Sequence, residues 1–214
     1  MTPPGLCSDT ILFDTAVAGV GHGVNFDVWY AARHLPALRR EFAPLACRVY
    51  ASASCASLTA ILEIDSVEND SSMVETSGEL GAGVARTEQF IARSIGWQAR
   101  PETIDIHATA QRAPIAYPVF FAVPDAREAE FNRWYDEEHL GILLGCADWL
   151  ACRRFRITTP HPAGFTHLAL HYLAGIAALT SPERDAARAT PWRDRLAIER
   201  WFRGEYRVLH RILA

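Results

Sequence analysis

Residues 131–140 read Phe-Asn-Arg-Trp-Tyr-Asp-Glu-Glu-His-Leu, and residues 26–35 read Phe-Asp-Val-Trp-Tyr-Ala-Ala-Arg-His-Leu. Phe, Trp, Tyr, His and Leu occupy the same positions in both stretches, at an offset of 105 residues. The same offset places Cys47-Arg48 against Cys152-Arg153. Matching residues in one register over this distance indicate that the chain contains two copies of one module of about a hundred residues.

Each copy is expected to run strand, helix, strand, strand, helix, strand. In the second copy, residues 117–123, 151–158 and 165–173 are apolar runs that predict strands. Asp125 and Glu128 have the spacing of a capping box, which predicts that a helix begins there with Asp125 as its N-cap.

The last part of each copy is expected to be a second helix and a final strand. Residues 192–202 predict that helix in the second copy, and residues 206–213 predict the strand. In the first copy, residues 86–93 match residues 193–200 at an offset of 107, which predicts a helix there too. Residues 104–106 are then expected to lie in the final strand of the first copy.

This order of elements is that of the ferredoxin-like unit. Helices cover one face of such a sheet, and the other face must be buried against another layer. Two units packed sheet to sheet would bury both faces. We therefore predict an α+β fold of two tandem ferredoxin-like (βαββαβ) modules, residues 1–110 and 115–214, that form one intramolecular α+β barrel with helices outside.

Composition excludes several classes of function. All 21 basic residues are arginine, so enzymes that need a Schiff-base lysine or a P-loop lysine are excluded. The net charge of −4 gives no reason to expect nucleic acid or an acidic membrane surface as a partner. No apolar run approaches the roughly 20 residues that span a bilayer. Residues 1–9 lack the features of a secretory signal, so the cytoplasm is the expected location.

The repeated helix segment carries a family resemblance. Phe-x-x-Trp-Tyr-x-x-Glu-His-Leu at residues 131–140 resembles the helix motif of the dimeric α+β barrel superfamily, especially its EthD-like branch. His34-Leu35-Pro36 in the first copy resembles the His-x-Pro ending of that family. The resemblance implies a ligand pocket in each half, and a fused tandem would be a one-chain version of the usual dimer. It implies no single reaction, since relatives include monooxygenases, isomerases, cyclases, dehydratases and haem enzymes.

The second copy carries the stronger candidate site. His139 lies four residues after Tyr135, and Glu138 four after Trp134, so each pair is expected to share a helix face. A histidine beside aromatic rings suits a general base near neutral pH, and Glu138 could orient it or act itself. Trp134 and Tyr135 are the expected substrate-binding aromatics. The alternative is that His139 caps the helix end or satisfies a buried carbonyl.

The first copy has a different set of side chains. His34 is the counterpart of His139, and Trp29 and Tyr30 are the counterparts of the two aromatics. Arg33 stands where the second copy has Glu138, so the two halves differ chemically. Arg33 could bind a carboxylate or enolate of the substrate, or it could form a surface ion pair.

No metal site and no cofactor are predicted. His167 and His171 lie four apart on an expected strand, about 13 Å from each other, too far to bind one ion directly. His107 and His210 are expected on equivalent final strands. No zinc-binding spacing of His or Cys occurs, and the five cysteines include no C-x-x-C. A haem histidine is possible in the superfamily, although no local feature of this sequence favours one.

Two polar or glycine-rich stretches are expected to be loops. Glu63, Asp65, Glu68 and Asp70 form an acidic run that predicts a solvated loop. Residues 19–23 are rich in glycine but lack the full G-x-G-x-x-G pattern, so they predict a flexible loop near the pocket rather than a nucleotide site.

The sequence thus favours a cofactor-independent enzyme that transfers protons on an apolar carbonyl or aromatic compound, of isomerase, cyclase, dehydratase or monooxygenase type. A non-catalytic ligand-binding protein of the same fold and a haem-binding protein are the alternatives. The expected partner is a small molecule. A homodimer through outer surfaces remains open, although the fusion makes one unnecessary for closing the barrel.

Overall fold

A computed structural model of the chain describes residues 8–19, 23–54, 56–65 and 84–212. We number its helices and strands in chain order. They are β1 Thr10–Ala18, α1 Gly23–Trp29, α2 Leu35–Phe42, β2 Ala46–Ser52, β3 Ser57–Ile64, β4 Val84–Ala99, α3 Ile106–Arg112, β5 Ile115–Phe121, α4 Asp125–Trp134, α5 Leu140–Leu143, β6 Trp149–Ile157, β7 His167–Leu173, α6 Pro182–Ala187, α7 Pro191–Ala197, β8 Glu205–Tyr206 and β9 Leu209–Ile212. A 3₁₀ turn, Ile176–Thr180, precedes α6.

The chain divides into two compact units. The first contains the described residues through Arg93, together with Ile157–Pro162 and β9. The second contains Ser94–Arg156 and Ala163–Val208. The long strand β4 therefore contributes its first ten residues to one unit and its remainder to the other.

The first unit is built on an antiparallel sheet in the strand order β4-β1-β3-β2-β9. Side chains of β1 alternate between the two faces, as the twofold period of a strand requires. Leu12 packs with Phe26 and Tyr30 in the core beneath the helices. Phe13, on the opposite face, stacks on Phe90 at a ring-centroid distance of 5.0 Å.

The second unit has a sheet of the same strand order. It runs from β8 through β5, β7 and β6 to the last residues of β4, so that β8, β5, β7 and β6 take the places of β4, β1, β3 and β2 in the first sheet. Ile115, Tyr117 and Phe121 alternate along β5 and point to one core, where they meet Phe131 of α4 and other aromatic side chains. Burial of each side chain of this size stabilises the fold by about 1.5–3 kcal/mol.

In both units a π turn interrupts the first helix, at positions that lie 105 residues apart. Tyr30–His34 joins α1 to α2, and Tyr135–His139 joins α4 to α5. In each turn the backbone N–H five residues on, that of Leu35 or Leu140, donates to the tyrosine carbonyl. A π turn adds about one residue to a turn of the helix and is frequently found at functional sites.

Two expectations for the first copy are wrong. Residues 86–93 belong to the strand β4 and not to a helix, because Glu88, Phe90 and Ala92 alternate as buried positions along β1. Residues 104–106 are not a strand, because the Asp105 carboxylate accepts the Ala108 N–H at 2.9 Å and so caps α3. His107 consequently lies on a helix.

Further local expectations are corrected in the same way. α4 begins at Asp125 with Pro124 as its N-cap, so no capping box forms; Asp125 and Glu128 bind Arg156 instead. The second helix of the second copy ends at Ala197 rather than at residue 202, and α6 precedes it.

Glu63 belongs to β3 and is fully buried, where it forms an ion pair with Arg48 and accepts the Ser8 N–H. It is therefore no part of a solvated loop. Glu68, Asp70 and the central residues of the glycine-rich stretch 19–23 lie outside the described residues.

The predicted α+β fold is confirmed. The tandem origin of the two modules, their boundaries at 1–110 and 115–214, and the closure of one barrel stay predictions. In the part of the chain that the structure describes, no helix has the length and apolar character needed to cross a membrane.

Candidate functional site

The π turn of the second unit determines which side chains share a face. Trp134 and His139, five residues apart, stack at a ring-centroid distance of 4.3 Å with 28° between their planes. Tyr135 meets the same imidazole edge to face at 5.2 Å. The expected pairing of Glu138 with Trp134 is wrong, because the wider π turn moves the facing position from the fourth residue to the fifth.

A cavity of about 160 Å³ lies in the second unit beside this turn. Its walls are mainly aromatic and include Tyr117, Phe121, Trp134, Tyr135, Trp149 and Phe202. A cavity of about 150 Å³ holds a benzene ring, whereas drug-sized ligands occupy roughly 300–1,000 Å³. The cavity thus suits a ligand with one or two rings.

The backbone of Gly204 forms part of the same wall. A Cβ atom at this position would lie 2.9 Å from Cζ of Phe121 and 3.2 Å from Cγ1 of Val119. Both of these residues also line the cavity. The missing side chain therefore lets the backbone approach the aromatic wall closely.

His139 is held in one tautomer. Its Nδ1–H donates to the carbonyl oxygen of Ala187, at 3.3 Å and at the end of α6. Nε2 therefore carries the lone pair and is the ring's proton acceptor. Burial lowers the pKa of His139 to about 4, and the charges of Arg193 and Arg188 lower it further, against the effect of the Ala187 hydrogen bond. The ring is neutral at pH 7.

His171 is held in the opposite tautomer. The indole N–H of Trp149 can only donate, and it donates to His171 Nδ1 at 3.0 Å. The proton of the neutral ring is therefore on Nε2, which lies 4.0 Å from Sγ of Cys152. Burial, followed by the nearby His139, lowers the pKa of His171 to about 3.

Three tyrosines, Tyr117, Tyr135 and Tyr206, also line the cavity. Burial raises the pKa of Tyr135 well above its ordinary value, and burial also raises that of Tyr117 against the opposing effect of Arg184. Both side chains are therefore neutral O–H groups at physiological pH.

Positive charge comes from three arginines on the segment 184–193. Arg184, Arg188 and Arg193 line the cavity, and within the described residues no carboxylate lines it with them. Arg188 is exposed, and the other two are half-buried. The arrangement joins an apolar aromatic interior, a neutral imidazole acceptor and a cationic edge.

Glu138 is the one candidate of the second copy that does not line the cavity. Its Oε1 accepts the Thr190 hydroxyl at 2.6 Å. The same hydroxyl oxygen accepts the backbone N–H of Arg193 at 3.2 Å and caps α7. Glu138 thus holds the beginning of the helix that carries Arg193. His139, Trp134 and Tyr135 all line the cavity.

In the first unit the corresponding histidine has another role. His34 is buried, and its Nε2 lies 2.8 Å from the Asp14 carboxylate, which also accepts from Gln89 at 3.2 Å. Trp29 stacks on His34 at 4.7 Å, as Trp134 does on His139. Tyr30 contacts the same imidazole at 5.3 Å.

Arg33, in contrast, points away from these groups toward solvent. It is exposed, as a surface residue would be. The structure thus brings His34, Trp29 and Tyr30 together and leaves Arg33 apart.

Sequence patterns did not predict that Trp149, Arg184, Arg188 or Arg193 would belong to the site. The spacing of Arg184 and Arg188 on a short helix predicts a shared face, which could have been noticed. Their position beside His139 depends on contacts distant in sequence. His171 was noted on its strand, but its place in the cavity could not be foreseen.

Among residues 8–19, 23–54, 56–65 and 84–212, no three metal-binding side chains converge. His167, which shares a strand with His171, instead lies 3.3 Å from Glu128. A haem does not fit the cavity, because it exceeds a drug-sized ligand and about 160 Å³ is below the range that such ligands require.

Comparison with known proteins gives similarity in fold only. No protein-family model matches the sequence, and no curated protein is similar to it in sequence. An anthrone oxidase-like protein matches with a TM-score of 0.67 at 8% identity, over 99% of this chain and 94% of that one.

Two further solved structures, both from Listeria monocytogenes, are also similar. One is a ferredoxin-fold protein related to antibiotic biosynthesis monooxygenases, with a TM-score of 0.53 at 8% identity, over 97% of this chain and 96% of that one. The other is a haem-degrading enzyme, with a TM-score of 0.50 at 8% identity, over 94% and 98%. The chain thus has the ferredoxin-like α+β fold seen in monooxygenase-like proteins.

Proposed function

We propose that this protein is a cofactor-independent enzyme that removes a proton from an aromatic or carbonyl compound bound in the cavity of the second unit. The observation that carries the proposal is the state of His139. Its Nδ1–H is committed to Ala187, its ring is neutral, and it stacks on Trp134 in the cavity wall. The lone pair of a neutral imidazole can accept a proton, and a pKa of about 4 makes His139 a weaker base than the near-neutral histidine expected from sequence.

The charges around the cavity favour the product of that step. Proton removal from a carbonyl compound or a phenol leaves an enolate or phenolate. Guanidinium groups stabilise such an anion in surroundings from which water is largely excluded. The anion would also offset the repulsion that Arg188 and Arg193 exert on protonated His139. The base and the arginines therefore support the same transition state.

Isomerisation, cyclisation, dehydration and oxygenation can all begin with this step. Two of the similar structures are named for oxidation or monooxygenation, namely the anthrone oxidase-like protein and the relative of antibiotic biosynthesis monooxygenases. Their names favour oxygenation among these outcomes. The haem alternative has no support from the size of the cavity.

The proposal is tested with 2-tetralone, a two-ring ketone whose C1 protons are acidic. Exchange of these protons in D2O is followed by NMR with wild-type protein, His139→Gln and His34→Gln. Wild type should accelerate exchange over buffer, and His139→Gln should lose about 10²- to 10⁴-fold. His34→Gln should retain most of the rate, because His34 is bonded to Asp14 in the other unit.

Thermal melting of all three proteins shows whether each variant is folded. Equal exchange rates for folded wild type and folded His139→Gln would overturn the assignment. Binding of two-ring ketones without any exchange would instead identify a non-catalytic binding protein. A Soret band in freshly purified protein would replace the proposal with a haem protein.

The proposal includes the finer evolutionary assignment. We propose a tandem duplication within the EthD-like branch, whose two modules, 1–110 and 115–214, close one barrel. The repeated motif at an offset of 105 and the π turn at equivalent positions support the duplication. A cytoplasmic location and a homodimer through outer surfaces belong to the same proposal.

A further inference from the structure

The cationic edge of the cavity does not follow from the overall composition. The chain as a whole carries a net charge of −4. Arg184, Arg188 and Arg193 nevertheless line one small cavity, and both of its imidazoles are neutral. The local charge is therefore strongly positive on an acidic protein.

Protein carboxylates do little to neutralise these guanidinium groups. Across the described parts of the chain, Arg184 and Arg188 form no ion pair, and Arg184 lies close enough to Tyr117 to lower the pKa of its phenol against the effect of burial. Arg193 has one acidic neighbour, Asp194, at 3.8 Å, and that carboxylate is 68% exposed. An ion pair of this length at the surface contributes little.

The aromatic wall also contains a donor without a partner. The indole N–H of Trp134 is buried and has no hydrogen-bond acceptor among the residues that the structure describes. A buried donor of this kind normally finds a partner. A bound ligand or a water with an acceptor atom would supply one.

We propose that the substrate is itself an anion: a planar compound of one or two rings whose carboxylate or phosphate group is held by Arg184 and Arg188, with the rings between the aromatic walls. This inference rests on the proposed function, because it takes the cavity to be the substrate site. Guanidinium groups bind carboxylate and phosphate through paired, charge-assisted hydrogen bonds. The exposure of Arg188 places the charged group toward solvent, and the rings toward His139.

The test compares three probes of nearly equal shape by isothermal titration calorimetry. They are 2-naphthoate, 2-naphthyl phosphate and the neutral 2-naphthamide. Wild type should bind at least one anion about tenfold more tightly than the amide, the effect expected of a charge-assisted bond at a partly exposed site. This preference should weaken as salt is added. Whichever anion binds better identifies the headgroup.

Arginine variants then show which residues cause the preference for an anionic probe over the amide. Arg184→Gln and Arg188→Gln should each reduce the preference for the anion by about threefold, since the two guanidinium groups share a preference of about tenfold. Arg195→Gln is the matched control, because Arg195 is exposed on α7 and lies outside the cavity lining. Melting of each variant checks its fold, and the comparison of probes on wild type remains decisive if a variant fails to fold.

Equal affinity of wild type for the amide and both anions would overturn the inference, as would an anion preference that Arg184→Gln and Arg188→Gln both leave intact. The proposed function fails separately. It fails if His139→Gln exchanges the protons of 2-tetralone as fast as wild type, whatever the preference for anions.

Discussion

The rings of Trp134 and His139 stack at 4.3 Å although five residues separate them. The same relation holds between Trp29 and His34, at 4.7 Å. A regular α-helix places the fourth residue, not the fifth, on the facing position. In both units the π turn therefore places the histidine, and not the residue before it, on the helix face that carries the tryptophan. In the second unit this choice brings an imidazole, rather than the Glu138 carboxylate, to the cavity.

Stability should fall as the pH is lowered from 6.5 toward 4. An unfolded histidine takes up a proton near pH 6.5, whereas folded His139 does so near pH 4 and His171 near pH 3. Between these values the unfolded state binds more protons, so the free energy of unfolding decreases as pH falls. Each imidazole contributes a slope of up to about 1.4 kcal/mol per pH unit.

Urea unfolding between pH 5 and 6.5 measures this slope. His139→Gln should reduce this slope by the contribution of one imidazole, up to about 1.4 kcal/mol per pH unit. His210→Gln, which replaces an exposed side chain, is the control variant. A slope that is identical in wild type and His139→Gln would show that His139 titrates normally in the folded protein.

Glu138 should act as a positioning residue through Thr190 and α7. Glu138→Ala removes the acceptor of the Thr190 hydroxyl, so the start of α7 and Arg193 should become less ordered. Glu138→Gln keeps an acceptor oxygen at the same place. With 2-tetralone, Glu138→Ala should lower the exchange rate by about tenfold, the effect of roughly one hydrogen bond, and Glu138→Gln should restore it.

Glu138→Gln provides the control for the role of Glu138. If Glu138 were itself the base, Glu138→Gln would be as inactive as Glu138→Ala.

Asp14 and His34 should be coupled in stability. His34→Gln removes the imidazole that contacts the buried Asp14 carboxylate, so that Gln89 remains as the partner of this carboxylate. The free energy of unfolding should fall by about 1–3 kcal/mol. Asp14→Asn should also destabilise the protein. The double variant should lose less than the sum of the two single losses, because amide side chains can bond each other.

Chemical unfolding of the four proteins gives the coupling free energy. Strict additivity of the two single losses would mean that the 2.8 Å contact contributes nothing measurable. His34→Gln should have little effect on proton exchange, in contrast to His139→Gln.

Gly204→Ala should harm both the packing and the cavity. The added Cβ would meet the ring of Phe121 at 2.9 Å, and overpacking of this kind costs about 1–3 kcal/mol. Displacement of Phe121 should also weaken binding of two-ring ligands. Melting temperature and calorimetry measure the two effects.

Gly141→Ala is the matched control for that change. Gly141 lies on α5, and a Cβ there has no neighbour within 4 Å. Alanine in a helix is more favourable than glycine by about 0.8–1.0 kcal/mol, so this variant should be slightly more stable. If both variants behaved alike, close packing at Gly204 would not be the cause.

The α+β fold was predictable from sequence. Local patterns also placed β5, β6 and β7 near their observed positions, because a run of apolar residues can be recognised from neighbouring positions along the chain. The helix expected at residues 86–93 is wrong for a physical reason. Their similarity to residues 193–200 favoured a helix, whereas pairing with β1 stabilises the alternating side chains of β4 as a strand. The capping box failed for a related reason: Arg156, distant in sequence, takes both carboxylates.

From the sequence alone, the α+β class, three strands of the second unit and the presence of His139 among aromatic residues could be predicted. The tertiary structure was needed to see the tautomers of His139 and His171, the position of Glu138 outside the cavity lining, and the approach of Arg184, Arg188 and Arg193 to the cavity. The difference lies in the range of the interactions. Apolar runs depend on neighbouring positions along the chain. Tautomer, protonation and cavity lining depend on partners such as Trp149 and Ala187, which only folding brings next to the two imidazoles.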